Sequence, residues 1–293
     1  MSKPRIGFIG LGLMGSAMVG RLQDCGYSLT VLGNVSRPNI DAAVERGAVE
    51  AANARELAAA SDIVMLCVGT SDEVEARMLG DDGVIAGLNP DAVVIDFGTS
   101  LPESTKKLGA MVAEKQAVML DAPLGRTPSH GREGKLNIMG AGDRDTFDRV
   151  KPVLDDLGEN VFHLGPLGSG HTIKLINNFF AMTTATAMSE AFAVADAAGI
   201  PRQQLYDVVS AGPLHSGMMD FVKAYCVDGD PNQLAFAVRN ANKDVGYYAR
   251  MTGDLGFESL VSEGPRKLLG SATDQGHGDI MVPQLIDFLK ARK

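Results

Sequence analysis

The chain has 293 residues, 45% hydrophobic and 22% charged, with a formal net charge of −9. That length accommodates two domains with real cores. The acidic balance argues against nucleic acid, whose affinity rests on Lys and Arg neutralising phosphates, so any anionic ligand needs a local cationic site. The three cysteines, Cys25, Cys67 and Cys226, are odd in number and lack metal-ligand spacing. They read as reduced thiols in a cytoplasmic protein, and no metal is expected. The opening MSKPRIGFIG runs straight into a motif, with no room for a signal sequence. No apolar stretch is both long and uncharged enough to span a bilayer, so no membrane partner is expected.

Along the first half, short apolar runs alternate with amphipathic stretches. RIGFIG, SLTVLG, DIVMLCVG, AVVIDFG and AVMLDAP end in Gly, Asp or Pro, and between them lie segments such as SAMVGRLQDCG and DEVEARMLG. Such alternation predicts α/β architecture, a Rossmann-type doubly wound parallel sheet with right-handed crossovers. KLNIMGAG and NVFHLG read as further strands closing that sheet. The pattern changes near Gly168. From Thr172 to Ala198 the chain reads as one long helix, apolar on most of its surface, which implies burial on several sides. Helical segments alone follow: PRQQLYDVVSAG, LAFAVRNANKDVGYYARMTGDLG, ESLVSEGPRKLLGSATDQG and MVPQLIDFLKARK. The expected organisation is a dinucleotide-binding domain over 1–165, then an all-α domain over 166–293 that begins with the long interdomain helix.

Gly10-Leu11-Gly12-Leu13-Met14-Gly15 follows a strand and opens a helix. In that position Gly10 permits the turn, Gly12 lets a pyrophosphate approach the backbone, and Gly15 lets helix and strand pack closely. The helix N-terminus offers N–H groups to the phosphates. The cofactor is NAD or NADP. NAD sites usually carry an acid at the end of the second strand, and here Leu32-Gly33-Asn34-Val35-Ser36-Arg37 has none. Asn34 and Ser36 can donate to a 2′-phosphate and Arg37 can neutralise it, which leans to NADP; the alternative is Arg37 as a solvated loop residue before Pro38.

Lys174 and Asn178 stand four apart in the long helix and so share a face. A lysine in an apolar stretch suits acid–base duty, because burial readily moves its pKa; otherwise it snorkels to the surface. Asn178 can hold a substrate hydroxyl. His171, one turn earlier, is a wall, a cap or a functional group.

Taken in order, FIGLGLMG at 8–15, the loop after IDFGTS, DAPLGRTPSHGREGKL, GSGHTIKLINN and NANKDVG resemble the β-hydroxyacid dehydrogenase family over essentially the whole chain. That family includes 3-hydroxyisobutyrate dehydrogenases and tartronate semialdehyde reductases. The resemblance implies hydride transfer between a nicotinamide and a small anionic hydroxy acid or semialdehyde, with Lys174 as general acid/base and Asn178 orienting the substrate. It also implies that Lys243 and Asp244 lie beside the substrate, that Lys243, Phe236 and Thr99 lie near the nicotinamide, and that the protein is a homodimer or homotetramer.

Two segments depart from the family pattern. Where the family reads D-x-P-V-S-G-G, this chain has Asp121-Ala122-Pro123-Leu124-Gly125-Arg126-Thr127. Gly125, Arg126 and Thr127 then form a different anion receptor, with a fixed fork of donors and an added hydroxyl. This G-R-T variant resembles sulfolactaldehyde reductases, which reduce 3-sulfolactaldehyde to 2,3-dihydroxypropane-1-sulfonate; the alternative is Arg126 pointing to solvent. Gly98 stands before Thr99 where the family commonly has Ser. An imine reductase and a non-catalytic dinucleotide-binding protein share the two-domain plan, but both generally lack the lysine that this chain has as Lys174.

Overall fold

The computed structural model describes residues 3–33 and 37–291, which divide into two compact units, 1–174 and 175–293. In the first, β1 (Ile6–Ile9), β2 (Leu29–Leu32), β3 (Val49–Ala51), β4 (Ile63–Leu66), β5 (Val93–Asp96) and β6 (Val118–Asp121) form one parallel sheet in the order β3-β2-β1-β4-β5-β6. This is the doubly wound order of a Rossmann domain, in which the chain reverses direction across the sheet between β1 and β4.

Helices cover both faces, so the strands need apolar residues at every position rather than at alternate ones. Every residue of β1, β4 and β5 is buried. The period of two still sorts them. Ile6, Phe8, Ile63, Met65, Val93 and Ile95 join the core on one face. Ile9, Val64, Leu66 and Val94 join the other.

The later strands do not close this sheet, contrary to the sequence expectation. β7 (Leu124–Gly125), β8 (Leu136–Gly140) and β9 (Gly158–His163) form a separate three-stranded sheet, β7 antiparallel to β8 and β8 parallel to β9. The physical reason lies just beyond β6. Asp121 N–H faces away from β5 and donates to Ala141 O, and two residues on, Pro123 has no N–H with which to extend that outer edge to a further parallel strand. The chain that returns meets β6 only through the antiparallel bridge of Asp121 with Ala141.

The long helix runs Ser169–Ala197, starting earlier than its apolar pattern suggests. It stops before Gly199, whose φ of +74° suits a helix end. In the second unit Met182, Ala185, Met188 and Phe192 are buried along it, whereas Phe180 and Val194 are exposed. Its burial is therefore one-sided, not on several sides.

The second unit continues with helices Arg202–Ser210, Gly217–Cys226, Val238–Asp254, Glu263–Ala272 and Leu285–Ala291. Gly217–Cys226 was not foreseen. The helix expected from Leu234 starts instead at Val238, because the residues before it pair as extended chain: Val238 N–H donates to Ile280 O and Val282 N–H to Phe236 O.

Asp196, near the end of the long helix, ties three of these helices together. It accepts from Arg202 Nε at 2.9 Å and Nη2 at 2.6 Å, and lies 3.1 Å from Lys290 Nζ. The Arg202 hydrogen bonds are the main reason its carboxyl is held down at about 2. A carboxyl whose folded pKa lies below its unfolded value adds stability at higher pH and loses it as pH falls through the folded value. Asp196→Asn should therefore lower stability by about 1 kcal/mol near neutrality, the partly exposed groups limiting the effect. Thermal unfolding of both proteins across pH should show that gap constant above about pH 5 and closing towards about pH 2.

Candidate active site

The glycine loop joins β1 to the first helix, Leu13–Asp24. Gly10 takes φ +98°, and a side chain there would run into Cys67 O. A Cβ on Gly15 would overlap Gly10 O, so only glycine lets the helix come this close to the strand. Gly12 differs: it is the N-cap, no side chain caps the helix, and a Cβ built there meets nothing within 4 Å. The backbone is thus bare on the side where a pyrophosphate would lie. Leu11, Gly12 and Leu13 line a groove of about 470 Å³ with Leu32, Gly33 and Asn39. Leu13 is exposed, and Met14 packs partly against the core behind it. Asn39 Nδ2 donates to Leu11 O at 2.8 Å and so ties the second helix, Pro38–Glu45, to the loop. These residues fit a dinucleotide.

Beside Gly33, which lines the groove, Arg37 is engaged. It reaches Glu50 through Nη1 at 2.6 Å and Nη2 at 3.0 Å, and Nη2 also reaches Asp41 at 2.8 Å. The Arg37 hydrogen bonds hold the Glu50 carboxyl below its usual range. Sequence reasoning looked for an acid at the end of β2 and missed Glu50, which arrives on the neighbouring strand β3. Asn34 and Ser36 lie outside the described residues. Thr99 is half-buried on the loop after β5.

The ends of β5 and β6 carry two fully buried carboxylates, Asp96 and Asp121. Asp121 accepts from Gly168 N–H and His171 N–H, both at 2.7 Å, and thereby caps the start of the long helix. Burial pushes the Asp121 carboxyl above its usual range, opposed by His171 and these two amides. Asp96 accepts from Gly98 N–H at 2.8 Å and Ser100 Oγ at 2.7 Å. A Cβ at Gly98 would lie 2.9 Å from Asp96 Oδ1, which accounts for this glycine.

Between the two carboxylates sits the buried His171 ring. Its Nδ1 is 2.8 Å from Thr105 Oγ1, and that hydroxyl itself donates to Leu101 O, so the network assigns the proton to Nδ1. Its Nε2 faces Asp96 Oδ2 at 3.6 Å. His171 is thus a wall that fixes the helix start, and Lys174 follows three residues on, half-buried. The strand-end signature of Asp96 and Asp121 was visible in VVID and VMLD, but nothing local assigned them this work.

In the second unit Asn178 Nδ2 donates to Asp244 Oδ2 at 2.6 Å, and Lys243 Nζ is 3.0 Å from Asp244 Oδ1. Asn178 and Asp244 are buried. The structure thus brings together Asn178, Lys243 and Asp244, which sequence reasoning had placed near one site. Phe236 lies on extended chain before its helix and packs partly against the core of this unit.

The substrate-motif loop leaves β7 at Gly125, paired with Asn137 of β8. Arg126 takes φ +75°. Its Nη1 donates to Lys135 O at 2.7 Å and pairs with Glu159 at 2.5 Å. The Thr127 hydroxyl lies 2.7 Å from both Ser129 Oγ and His130 Nδ1.

Residues 5–165 match the family model described as the NAD binding domain of 6-phosphogluconate dehydrogenase. Residues 168–289 match that described as the NAD-binding of NADP-dependent 3-hydroxyisobutyrate dehydrogenase. The chain belongs to the β-hydroxyacid dehydrogenase family. Among its relatives, a probable 3-hydroxyisobutyrate dehydrogenase-like protein of Arabidopsis thaliana is 34% identical, covering 91% of this chain and 85% of the relative. A 3-sulfolactaldehyde reductase of Escherichia coli K12 is 30% identical, covering 93% and 91%. The 3-hydroxyisobutyrate dehydrogenase of Mycobacterium tuberculosis shares the fold with a TM-score of 0.87 at 24% identity, over 99% of this chain and all of that one.

This β-hydroxyacid dehydrogenase is an oxidoreductase that uses NAD or NADP and acts on hydroxyl groups or the carbonyls they form. Among its described residues no helix is long and apolar enough to cross a membrane. Arg126 occupies the left-handed conformation that favours glycine, at a cost of about 1 kcal/mol.

The two loop glycines separate folding from binding. Gly15→Ala should destabilise the protein by about 1–3 kcal/mol through overpacking. Gly12→Ala should cost less than about 1 kcal/mol, yet weaken NADH binding about tenfold by crowding the phosphate-binding N–H groups. Melting temperatures and a fluorescence titration of each variant check the pair.

Proposed function

We propose that this dehydrogenase interconverts a small anionic hydroxy acid and its semialdehyde, and that its substrate is 3-sulfolactaldehyde, reduced to 2,3-dihydroxypropane-1-sulfonate. The observation that carries the reading is Arg126, a cation held at φ +75° on the loop after β7, with Thr127 adding a hydroxyl beside it. A strained backbone kept at a ligand-binding loop points to function. The fork of Arg126 matches an oxyanion with two or more acceptors.

A nicotinamide cofactor held at the Gly10–Gly15 loop would supply the hydride for the carbonyl carbon and would recover it in the reverse direction. Lys174 donates a proton to the carbonyl oxygen as the alcohol forms and takes it back on oxidation. Asn178, held by Asp244, orients the oxygen, and Lys243 balances the Asp244 charge. Asn178 and Lys174 lie on one unbroken helix whose start Asp121 and His171 hold fixed, so the proton donor is positioned before substrate arrives. The protein acts in the cytoplasm as a homodimer or homotetramer, and the exposed Phe180 and Val194 supply apolar surface for a second subunit.

One observation favours a second reading. Nη1 of Arg126 is already engaged by Lys135 O and Glu159, which leaves fewer donors for a third oxygen and suits the two-oxygen carboxylate of a semialdehyde of the 3-hydroxyisobutyrate or tartronate type. The two readings part on substrate preference. Under the sulfonate reading, wild type has a higher kcat/KM for 3-sulfolactaldehyde than for methylmalonic, succinic or tartronic semialdehyde. Arg126→Ala then loses about 10–150-fold on the sulfonate, the worth of a charged hydrogen bond in a dry site. Arg126→Lys is also impaired, because an ammonium lacks the two-pronged geometry. A wild-type preference for a carboxylate, with no loss in Arg126→Ala on the sulfonate, selects the second reading.

Lys174→Ala tests the chemistry common to both. It should lower kcat by about 10²–10⁴-fold while leaving the Kd for NADH or NADPH within about twofold, since a proton donor contributes to the chemical step rather than to dinucleotide binding. Retention of more than a tenth of wild-type kcat removes Lys174 from this role.

A further inference from the structure

We propose that Glu50 makes the dinucleotide groove selective for the cofactor that lacks a 2′-phosphate, by holding both prongs of Arg37 and by standing in for the acid missing from β2. The inference rests on the reading of this groove as the nicotinamide dinucleotide site. In such sheets the adenosine ribose lies beyond the end of the second strand. Here β2 ends at Leu32, and Leu32, Gly33, Asn39 and Ile40 line that end of the groove.

Glu50 comes from β3, in register with Val31 of β2. Its carboxylate folds over Gly33, so closely that a Cβ on Gly33 would overlap Oε1. A carboxylate therefore stands beside Gly33 at the groove lip although β2 and residues 33–37 contain none. Ribose hydroxyls are donors and a carboxylate accepts them.

Charge decides between the two cofactors. Arg37 pairs with two carboxylates, Glu50 and Asp41, so the three groups sum to −1. A 2′-phosphate brings about −1.5 to −2. Approaching Arg37, it finds three of the five N–H donors already given to Glu50 and Asp41, and it sits beside two carboxylates. A 2′-hydroxyl meets no such barrier and gains an acceptor. The sequence lean towards NADP came from Arg37 read without its partners. With the partners in place, Arg37 serves to orient Glu50.

The test is direct titration of wild type, Glu50→Gln, Glu50→Ala and the double variant Glu50→Gln/Arg37→Ala with NADH and with NADPH, followed by fluorescence without substrate. Wild type should bind NADH at least tenfold more tightly than NADPH. Glu50→Gln should tighten NADPH about tenfold, as a charged hydrogen bond becomes available, and change NADH less than about threefold. Glu50→Ala should keep the NADPH gain and weaken NADH, having lost the ribose acceptor. The double variant should lose the gain.

A wild type that binds NADPH as tightly as NADH, or a Glu50→Gln variant with an unchanged NADH-to-NADPH ratio, overturns the assignment of Glu50 while leaving the groove a dinucleotide site. A wild type that binds neither cofactor overturns the dinucleotide reading itself, and Glu50 with it.

Discussion

The carboxylate of Asp121 joins the sheet to the long helix that carries Lys174 and Asn178. It is buried at the last residue of β6, where burial disfavours its charge, and it is retained because two amides at the start of the long helix donate to it. Helix N-termini leave backbone N–H groups without intrahelical acceptors, and an ionised acceptor is the strongest partner they can find. A protein that buries such a group must satisfy it or lose stability. The result is a fixed origin for the helix: once His171 is placed, the rise and turn of the backbone place Lys174 on the next turn. Asp96 and Thr105 complete the same arrangement by confining the His171 ring.

The nucleotide end of the same unit follows the opposite logic. Around Gly12 the protein leaves backbone donors unsatisfied and side chains absent, so that a ligand can supply the missing acceptor. Beyond β2 the cation Arg37 already pairs with two carboxylates, Glu50 and Asp41. The two ends of the segment thus differ: one exposes uncapped backbone, the other pairs its cation with carboxylates. Arg126 holds its left-handed backbone while its side chain is tied to Lys135 O and Glu159.

Much of the architecture was legible. The alternation of apolar runs and amphipathic stretches, the glycine spacing after β1 and the four-residue step from Lys174 to Asn178 are local periodicities, and each element they mark is present. The errors have local causes too. KLNIMGAG and NVFHLG have strand character but carry no mark of which sheet they join, and Pro123 alone hinted that the parallel ladder stops. Leu234 to Ala237 read as helix because their apolar spacing is compatible with one, until pairing across to Met281 claims their backbone. Gly217–Cys226 escaped notice among glycine, serine and short apolar runs.

The sequence by itself determined the fold class and the place of the glycine loop between β1 and its helix, because these depend on spacings of a few residues along one element. Only the tertiary structure decided which charges meet. Glu50 reaches Arg37 across 13 residues, Asp121 reaches Gly168 across 47, and Asn178 reaches Asp244 across 66. Strand order, a sheet end and helix packing create those encounters. No local period encodes them, because a carboxylate has the same preference for any donor and takes the one that the fold brings within hydrogen-bond distance.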